Sequence, residues 1–388
     1  MRTVITAEKL CNGTSLLDHP VIEIEDWRIA SIGTRAEVEV PATTRTLNYP
    51  GAILSPAFFD VHIHGAAGHD VMEATPQALN TIGRFLAAHG TGSFLATTVT
   101  APLDATLRSL SGLAKLIAQP PTTAEPAARP IGIHLEGPFL SHAKRGVHPP
   151  AHLLAPDIAV FDRLFDAAEG HIRLMTLAPE LPGAAGLAAH ATARGVRVSL
   201  GHSNATAEQT RAVIAAGAVS ATHTFNAMRA LDHHEPGILG VVLTTDSLFA
   251  ELICDGIHTA PELVKLWWKL KGPARAILVT DAMSATGMPD GPYQLGGFTV
   301  QVANGKATVG DVLAGSLLTL DRALANFIAF TGTPIYRALR LLTANPAAMT
   351  GLTDKASSLA VGQPANLIAV DRSGKLVASI HNGQPIGH

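Results

Sequence analysis

The chain has 388 residues, of which 47% are apolar and 15% are charged, and its formal net charge is −3 at pH 7. This composition excludes a disordered chain, and the slightly negative charge argues against nucleic-acid binding or electrostatic docking on a membrane. No apolar run approaches the ~20 residues of a membrane-spanning helix. The only cysteines, Cys11 and Cys254, cannot form a disulfide framework, and the N-terminus lacks the apolar core of a signal peptide. We therefore expect a cytoplasmic protein.

Both ends of the chain show the alternation of apolar and polar residues that is typical of half-buried strands. Residues 21–25 and 28–32 alternate in this way near the N-terminus, and residues 366–370 and 376–380 do so near the C-terminus. Neither end has enough strands to be stable alone. The pattern therefore predicts one small β-sandwich domain built from residues 1–55 and 350–388.

The middle of the chain, residues 56–349, has a different period. Eight apolar strand-like runs lie near residues 57–64, 92–99, 131–136, 172–177, 196–202, 218–223, 248–254 and 275–281. Helical patterns follow several of them, at residues 76–89, 104–118, 156–168, 182–194, 205–216 and 261–270. Eight strand-then-helix units indicate a (β/α)8 barrel of the TIM type. An open doubly wound sheet is the alternative, but no glycine-rich phosphate fingerprint follows the first strand. The Gly- and Pro-rich residues 283–297 indicate a loop or lid.

Metal-binding and proton-transferring side chains stand where the predicted strands end. In barrels of this type the active site lies at the C-terminal ends of the strands. Those ends hold His62 and His64, Glu136, His202, His223, Asp255 with His258 close behind it, and Asp281. Imidazoles and carboxylates are ligands that suit Zn²⁺ and similar ions, and a metal lowers the pKa of a bound water toward ~7. An aspartate beside that water can take its proton and pass it to a leaving amine. The set predicts a metal-dependent hydrolase for an amide or a related bond.

Five motifs together resemble one known family. Residues 58–65 (FFDVHIHG) are similar to the opening motif of the amidohydrolase superfamily. Residues 134–139 (HLEGPF), 201–205 (GHSNA), 222–228 (THTFNAM) and 279–282 (VTDA) resemble the N-acetylglucosamine-6-phosphate deacetylases within it, and residues 313–316 and 362–367 extend the likeness over the whole chain. The resemblance implies a barrel flanked by a small β domain, a homodimer, and removal of acetate from N-acetyl-D-glucosamine 6-phosphate to give glucosamine 6-phosphate.

The resemblance also implies roles for individual residues. It makes Glu136, His202 and His223 the ligands of one divalent metal and Asp281 the catalytic acid and base. Because His62 and His64 are present, a second ion shared through Glu136 is predicted beside the single-ion alternative. Zn²⁺ is the ion favoured, with Fe²⁺ and others as alternatives. The substrate-binding residues implied are Val147, His148, Asn226, Ala227, His258, Leu313, Ala314 and Gly315.

One position departs from the family pattern. The family commonly has an arginine before the Glu-Pro-Gly of the loop after the sixth strand, where it helps to hold the phosphate, and this chain has His234 there. An imidazole grips phosphate less firmly than a guanidinium fork does. We predict His234 as the substrate contact, with Arg229 or His233 as alternatives. Two rival functions follow: a deacetylase of an unphosphorylated or different N-acyl amino sugar, and a non-catalytic barrel that binds a sugar.

Overall fold

A parallel β-barrel forms the centre of the molecule. The computed structural model describes residues 2–13, 15–38, 44–119 and 126–387. The barrel strands are Phe58–Ile63, Thr91–Thr98, Arg129–Glu136, Ile172–Leu177, Arg197–Leu200, Ala218–Ala221, Phe249–Ile253 and Ala276–Val279, and each pairs in parallel with the next along the chain. The barrel closes where the Asp281 N–H donates to the His62 carbonyl at 2.9 Å and the His64 N–H donates to the Ala282 carbonyl at 2.8 Å. The predicted (β/α)8 barrel is confirmed.

Helices cover the outside of the barrel. Their bounds are Pro76–Ala88, Leu103–Ile117, Ile158–Ala167, Ala184–Ala193, Ala207–Ala215, Gly237–Thr244, Pro261–Arg275, Leu320–Thr331, Ile335–Ala338 and Ala344–Thr350. The first shows why these segments are helical: the Thr75 hydroxyl accepts from the Ala78 N–H, Pro76 occupies the first turn, and Leu79 and Ile82 are buried on one face. Across the described residues, no helix combines the length and apolar character needed to cross a bilayer.

The two ends of the chain form one sheet. Its strands are Arg2–Asn12, Ser15–Asp18, Pro20–Glu25, Arg28–Thr34, Arg45–Pro56, Leu367–Val370, Leu376–His381 and Gln384–Ile386. The C-terminal strand Leu367–Val370 pairs antiparallel with Arg45–Pro56, and side chains from both ends, such as Leu54 and Ile380, are buried together. The predicted small β domain from both chain ends is confirmed. Its division from the barrel at residues 55/56 and 349/350 stays a prediction, and residues 39–43 lie outside the described residues.

A third sheet follows the eighth barrel strand. Its antiparallel strands are Gly291–Leu295, Phe298–Ala303, Lys306–Val309 and Val312–Leu313, and we call residues 291–313 the flap sheet. Val300 and Val302 are buried against Val99, which follows the second barrel strand, so the flap sheet packs on the C-terminal end of the barrel. Residues 283–297 are therefore not all loop. Gly291 and Pro292 are residues that usually indicate a loop. Here they begin a strand at the edge of the flap sheet, where a proline is tolerated.

Candidate active site

The carboxylate of Glu136 lies at the centre of a buried group of histidines. Glu136 ends the third barrel strand and is only 2% exposed. Four imidazole Nε2 atoms lie close to its oxygens: those of His62, His202 and His223 at 3.3 Å from Oε1, and that of His64 at 3.2 Å from Oε2. These side chains come from four strand ends that are far apart in sequence. The barrel therefore brings together the five predicted metal-binding residues.

Strained backbone conformations turn three of the site residues into the barrel mouth. His202, His223 and Asp281 each lie just beyond the end of a strand and have positive φ angles of 47°, 26° and 50°. A positive φ is uncommon for residues other than glycine and is concentrated at functional sites. An extended conformation would instead continue the alternation of the strand. Because these three residues leave the regular strand conformation, their side chains can turn toward the same point at the barrel mouth.

The histidine–glutamate group fits a divalent cation. Among the described residues, His62 Nε2 and Glu136 Oε1 are buried without a hydrogen-bond partner although they lie 3.3 Å apart. The Nε2 atoms of His202 and His223 face each other at 3.0 Å. Nitrogen and oxygen lone pairs directed at one another without protons repel, and a cation between them removes the repulsion. Imidazole nitrogen and carboxylate oxygen form the donor set that Zn²⁺ and related ions accept.

Backbone carbonyls fix the tautomer of two of these histidines. The Nδ1 of His64 lies 3.1 Å from the carbonyl oxygen of Thr97, and the Nδ1 of His202 lies 2.9 Å from that of Lys144. A carbonyl oxygen can only accept, so each Nδ1 must carry a proton. Each Nε2 is then the nitrogen that faces Glu136 and can bind a cation. Metal-binding histidines are typically held in this way by a partner on the other ring nitrogen.

His148 has the opposite tautomer. Its Nδ1 lies 3.3 Å from the backbone nitrogen of Thr100, which can only donate, and 2.8 Å from the Thr100 hydroxyl. The proton therefore sits on Nε2, which lies 3.5 Å from Glu136 Oε2. Burial lowers the pKa of His148 to about 4, so the ring is neutral at pH 7. Although His148 lies near enough to Glu136 and His202 to share an ion, it is arranged to donate a hydrogen bond rather than to bind a metal.

Asp281 is ionised beside the histidines. Its Oδ1 lies 3.1 Å from His64 Nε2 and 3.5 Å from His62 Nε2. Burial alone would raise the pKa of Asp281, but the two histidines hold it well below its usual range. Burial alone would likewise lower the pKa of His64, but Asp281 and Glu136 raise it to about 9. A carboxylate that is ionised at neutral pH is able to accept a proton.

A cavity of about 400 Å³ opens above this group. Predicted substrate residues that line it are Val147, His148, Asn226, Ala227, His258, Leu313 and Gly315. The His258 Nδ1 lies 2.6 Å from the Asp255 carboxylate, which holds the other ring nitrogen free for a ligand. Ala314 is buried in the core of the flap sheet and does not line the cavity. His62 lies beneath the cavity floor and is fully buried.

Comparison with known proteins places the chain in a family. The family model described as the amidohydrolase family matches residues 53–386, which span the barrel and the three C-terminal strands.

The chain belongs to the amidohydrolase family.

Proteins similar to this chain include deacetylases of N-acetylated amino-sugar phosphates. This amidohydrolase is 38% identical over 372 residues to the N-acetylgalactosamine-6-phosphate deacetylase of Escherichia coli O157:H7, an alignment that covers 96% of each chain. It is 36% identical over 362 residues to the N-acetylglucosamine-6-phosphate deacetylase of Lysinibacillus sphaericus, covering 93% of this chain and 92% of that one. The structure of a mutant N-acetyl-D-glucosamine-6-phosphate deacetylase from Mycobacterium smegmatis, in complex with that sugar phosphate, superimposes with a TM-score of 0.90 at 36% identity and 99% coverage of each chain. The family resemblance seen in the sequence is confirmed.

His234 stands apart from the other predicted site residues of this amidohydrolase. It is exposed, it stacks on His233 with ring centroids 4.0 Å apart, and its backbone N–H donates to the Asp232 carboxylate. Neither His234 nor the alternatives Arg229 and His233 line the cavity. Within one chain, the described structure does not bring any of these three to the substrate cavity.

Five residues of the site were not predicted from the sequence. Thr100 sets the tautomer of His148. Gly137 makes room for the Thr100 side chain, because a Cβ at position 137 would lie 2.1 Å from the Thr100 hydroxyl. Lys144 and Asp311 line the cavity, and Glu251 contacts His62 beneath it. Glu251 left a signal in the sequence, since it is the one charged residue in the apolar strand Phe249–Ile253. Thr100, Lys144 and Asp311 left none, because their roles depend on how loops return to the barrel mouth.

Proposed function

We propose that this amidohydrolase removes the acetyl group from N-acetyl-D-glucosamine 6-phosphate in a metal-dependent hydrolysis. The observation that supports this most is the Glu136 carboxylate with four imidazole nitrogens within 3.3 Å of it and the ionised Asp281 beside them. The named activities of the relatives at 36–38% identity supply the substrate class. The galacto epimer, after which the Escherichia coli relative is named, is the second candidate.

The residues divide the chemical work among them. Glu136, His202 and His223 would hold one divalent cation, and His62 and His64 would hold a second one shared through Glu136. A cation bound there polarises the acetyl carbonyl and makes a water molecule more acidic. Asp281 accepts the proton of that water as its oxygen adds to the acetyl carbon, and donates it to the sugar nitrogen as the C–N bond breaks. The Nε2–H of His148 donates a hydrogen bond to the acetyl oxygen or a sugar hydroxyl, and Val147, Asn226, Ala227, His258, Leu313 and Gly315 enclose the sugar.

Zn²⁺ is the preferred ion because the ligands are imidazoles and carboxylates. A homodimer is supported by exposed leucines on one face of the helix Pro261–Arg275, where Leu263, Leu266 and Leu270 are 39–43% exposed. A cytoplasmic location is supported by Cys11 and Cys254, which are both free thiols.

Acetate release from a panel of sugars tests the function. We expect the metal-loaded protein to have its highest kcat/KM with N-acetylglucosamine 6-phosphate, followed by the galacto epimer and then by unphosphorylated N-acetylglucosamine. Measuring acetate by a coupled assay gives the three values. A preference for the unphosphorylated sugar would overturn the phosphorylated substrate, and acetate release from none of them would favour the non-catalytic sugar-binding barrel.

Lys144 is the residue that we assign to the phosphate. It is the one lysine or arginine that lines the cavity, and within the described residues its amino group has no partner. Its backbone carbonyl accepts from His202 Nδ1, so the loop that carries it is tied to the predicted metal site. A free ammonium group at this place supplies the positive charge that His234 does not bring to the cavity.

Replacing Lys144 with methionine should weaken the phosphorylated substrate selectively. A charge-assisted hydrogen bond contributes about 1.5–3 kcal/mol, so we expect kcat/KM for the sugar phosphate to fall about 10- to 100-fold, mostly through KM. The value for the unphosphorylated sugar should stay within about twofold, since it lacks the contact. Lys265→Met, on the exposed face of an outer helix, is the matched control. Equal losses for both sugars would show that Lys144 does not bind the phosphate.

A further inference from the structure

The side chain of Glu251 is a buried carboxylate that the proposed chemistry does not use. It lies in the seventh barrel strand, between Ala250 and Leu252, and is 0% exposed. Among the described residues it pairs with no lysine or arginine. A carboxylate taken out of water without compensation is costly to the folded state. Its retention inside the barrel therefore points to a role in the site above it.

The Glu251 carboxylate contacts the side chain of one predicted metal-binding residue and the backbone of another. Its Oε2 lies 3.3 Å from His62 Nδ1 and 3.4 Å from the backbone nitrogen of His223. A carboxylate oxygen accepts a hydrogen bond, so the contact places a proton on His62 Nδ1 and leaves Nε2 as the nitrogen that faces Glu136 and can bind a cation. His62 thus acquires the same tautomer that Thr97 and Lys144 impose on His64 and His202 through their carbonyls.

Within the part of the chain that the structure describes, no other neighbour offers His62 Nδ1 an acceptor. The ring of His134 packs edge-on against it with centroids 4.7 Å apart, but the polar contacts of His134 go to Thr97 and Thr176. Three of the four predicted metal-binding histidines have an acceptor at Nδ1 in the described structure, and among them His62 is the one held by a charged group. A carboxylate behind an imidazole orients the ring and makes the facing nitrogen a stronger ligand.

We propose that Glu251 is a positioning residue that aims His62 Nε2 at Glu136 and so sets the affinity of the cation site built on His62 and His64. This role rests on the proposed metal-dependent function. The same carboxylate also accepts from the backbone N–H of His223, which lies just beyond the sixth strand, so Glu251 touches a residue of each predicted ion position. Two further atoms there, Glu251 Oε1 and His223 Nδ1, are buried without a partner in the described chain.

Zn²⁺ affinity of Glu251 variants tests this role without relying on acetate release. Glu251→Leu keeps the volume and removes the acceptor, whereas Glu251→Gln keeps an oxygen acceptor and removes the charge. Competition against a chromophoric chelator gives the affinity of each ion. Substitution of residues that orient metal ligands weakens binding by about 10- to 100-fold. At the site built on His62 and His64 we therefore expect Zn²⁺ affinity to fall about tenfold in the Gln variant and about 100-fold in the Leu variant. Glu23→Leu, a buried acid in the small β domain, should lower Tm and leave Zn²⁺ binding unchanged.

The outcomes separate this role from the proposed function. If wild-type protein binds no Zn²⁺, the metal-dependent function itself fails. If wild-type protein binds Zn²⁺ and both Glu251 variants bind it within twofold of wild type, the positioning role alone is overturned, and Glu251 is a structural acid like Glu23. If the Leu variant does not fold, the Gln variant decides: tenfold weaker binding supports the role, and wild-type affinity contradicts it.

Discussion

Replacing Asp281 with asparagine should lower kcat by about 10²- to 10⁴-fold, the range that a general acid and base contributes. The substitution keeps the size and the acceptor oxygen of the side chain but cannot take up a proton. Asp281 is ionised in the native site, because His62 and His64 outweigh the effect of burial on its pKa, so the wild-type group is ready to accept. Turnover of N-acetylglucosamine 6-phosphate by the Zn²⁺-loaded variant measures the effect.

A matched substitution shows that the loss is specific to this carboxylate. Asp321 is also a partly buried acid that pairs with a histidine, His89, but it lies at the start of an outer helix. Asp321→Asn should keep kcat within about twofold. If Asp281→Asn turned over near the wild-type rate while it retained its metal, the assignment of Asp281 as the acid and base would be wrong.

Replacing Glu136 with glutamine should strip the site of its cations. The Glu136 carboxylate lies within 3.3 Å of all four histidine nitrogens, and an amide offers neither its charge nor its second acceptor oxygen. Loss of a group that only orients a ligand costs 10- to 100-fold in metal affinity, so loss of the shared ligand should cost at least about 100-fold. Elemental analysis after dialysis against a chelator measures the ions retained per chain.

Activity should follow the metal in this variant. We expect Glu136→Gln to release acetate at less than about 1% of the wild-type rate, since both the polarised carbonyl and the activated water depend on the cation. Glu23→Gln in the small β domain is the control for loss of a buried acid. Full metal occupancy in Glu136→Gln would contradict a shared carboxylate ligand.

The sequence predicted the barrel and the convergence of its ligands because one rule covers both. Apolar runs set the strands, and the polar residue that ends each run must lie at the same rim as the others. Glu136, the last residue of its strand, could be placed in this way. The same rule brought His202 and His223 to the rim although each lies two residues beyond its strand.

Other features of the site could not be predicted from the sequence. The positive φ of His202 and His223 depends on tertiary contacts and leaves no mark in the residue pattern. The tautomer of His148 depends on Thr100, which lies 48 positions earlier in the chain. His234 was assigned by its position before a Glu-Pro-Gly motif, and only the fold reveals that the loop directs it away from the cavity of its own chain.

Anomalous X-ray scattering from Zn²⁺-loaded crystals tests the central claim most directly, because it locates ions without reference to activity. We predict one peak within bonding distance of Glu136, His202 and His223, at Zn–N and Zn–O distances of about 2.0–2.2 Å. A second peak bounded by His62, His64 and Glu136 would establish the two-ion site. Strong Zn²⁺ peaks elsewhere on the protein, with none beside Glu136, would contradict a shared cation at the mouth of the barrel.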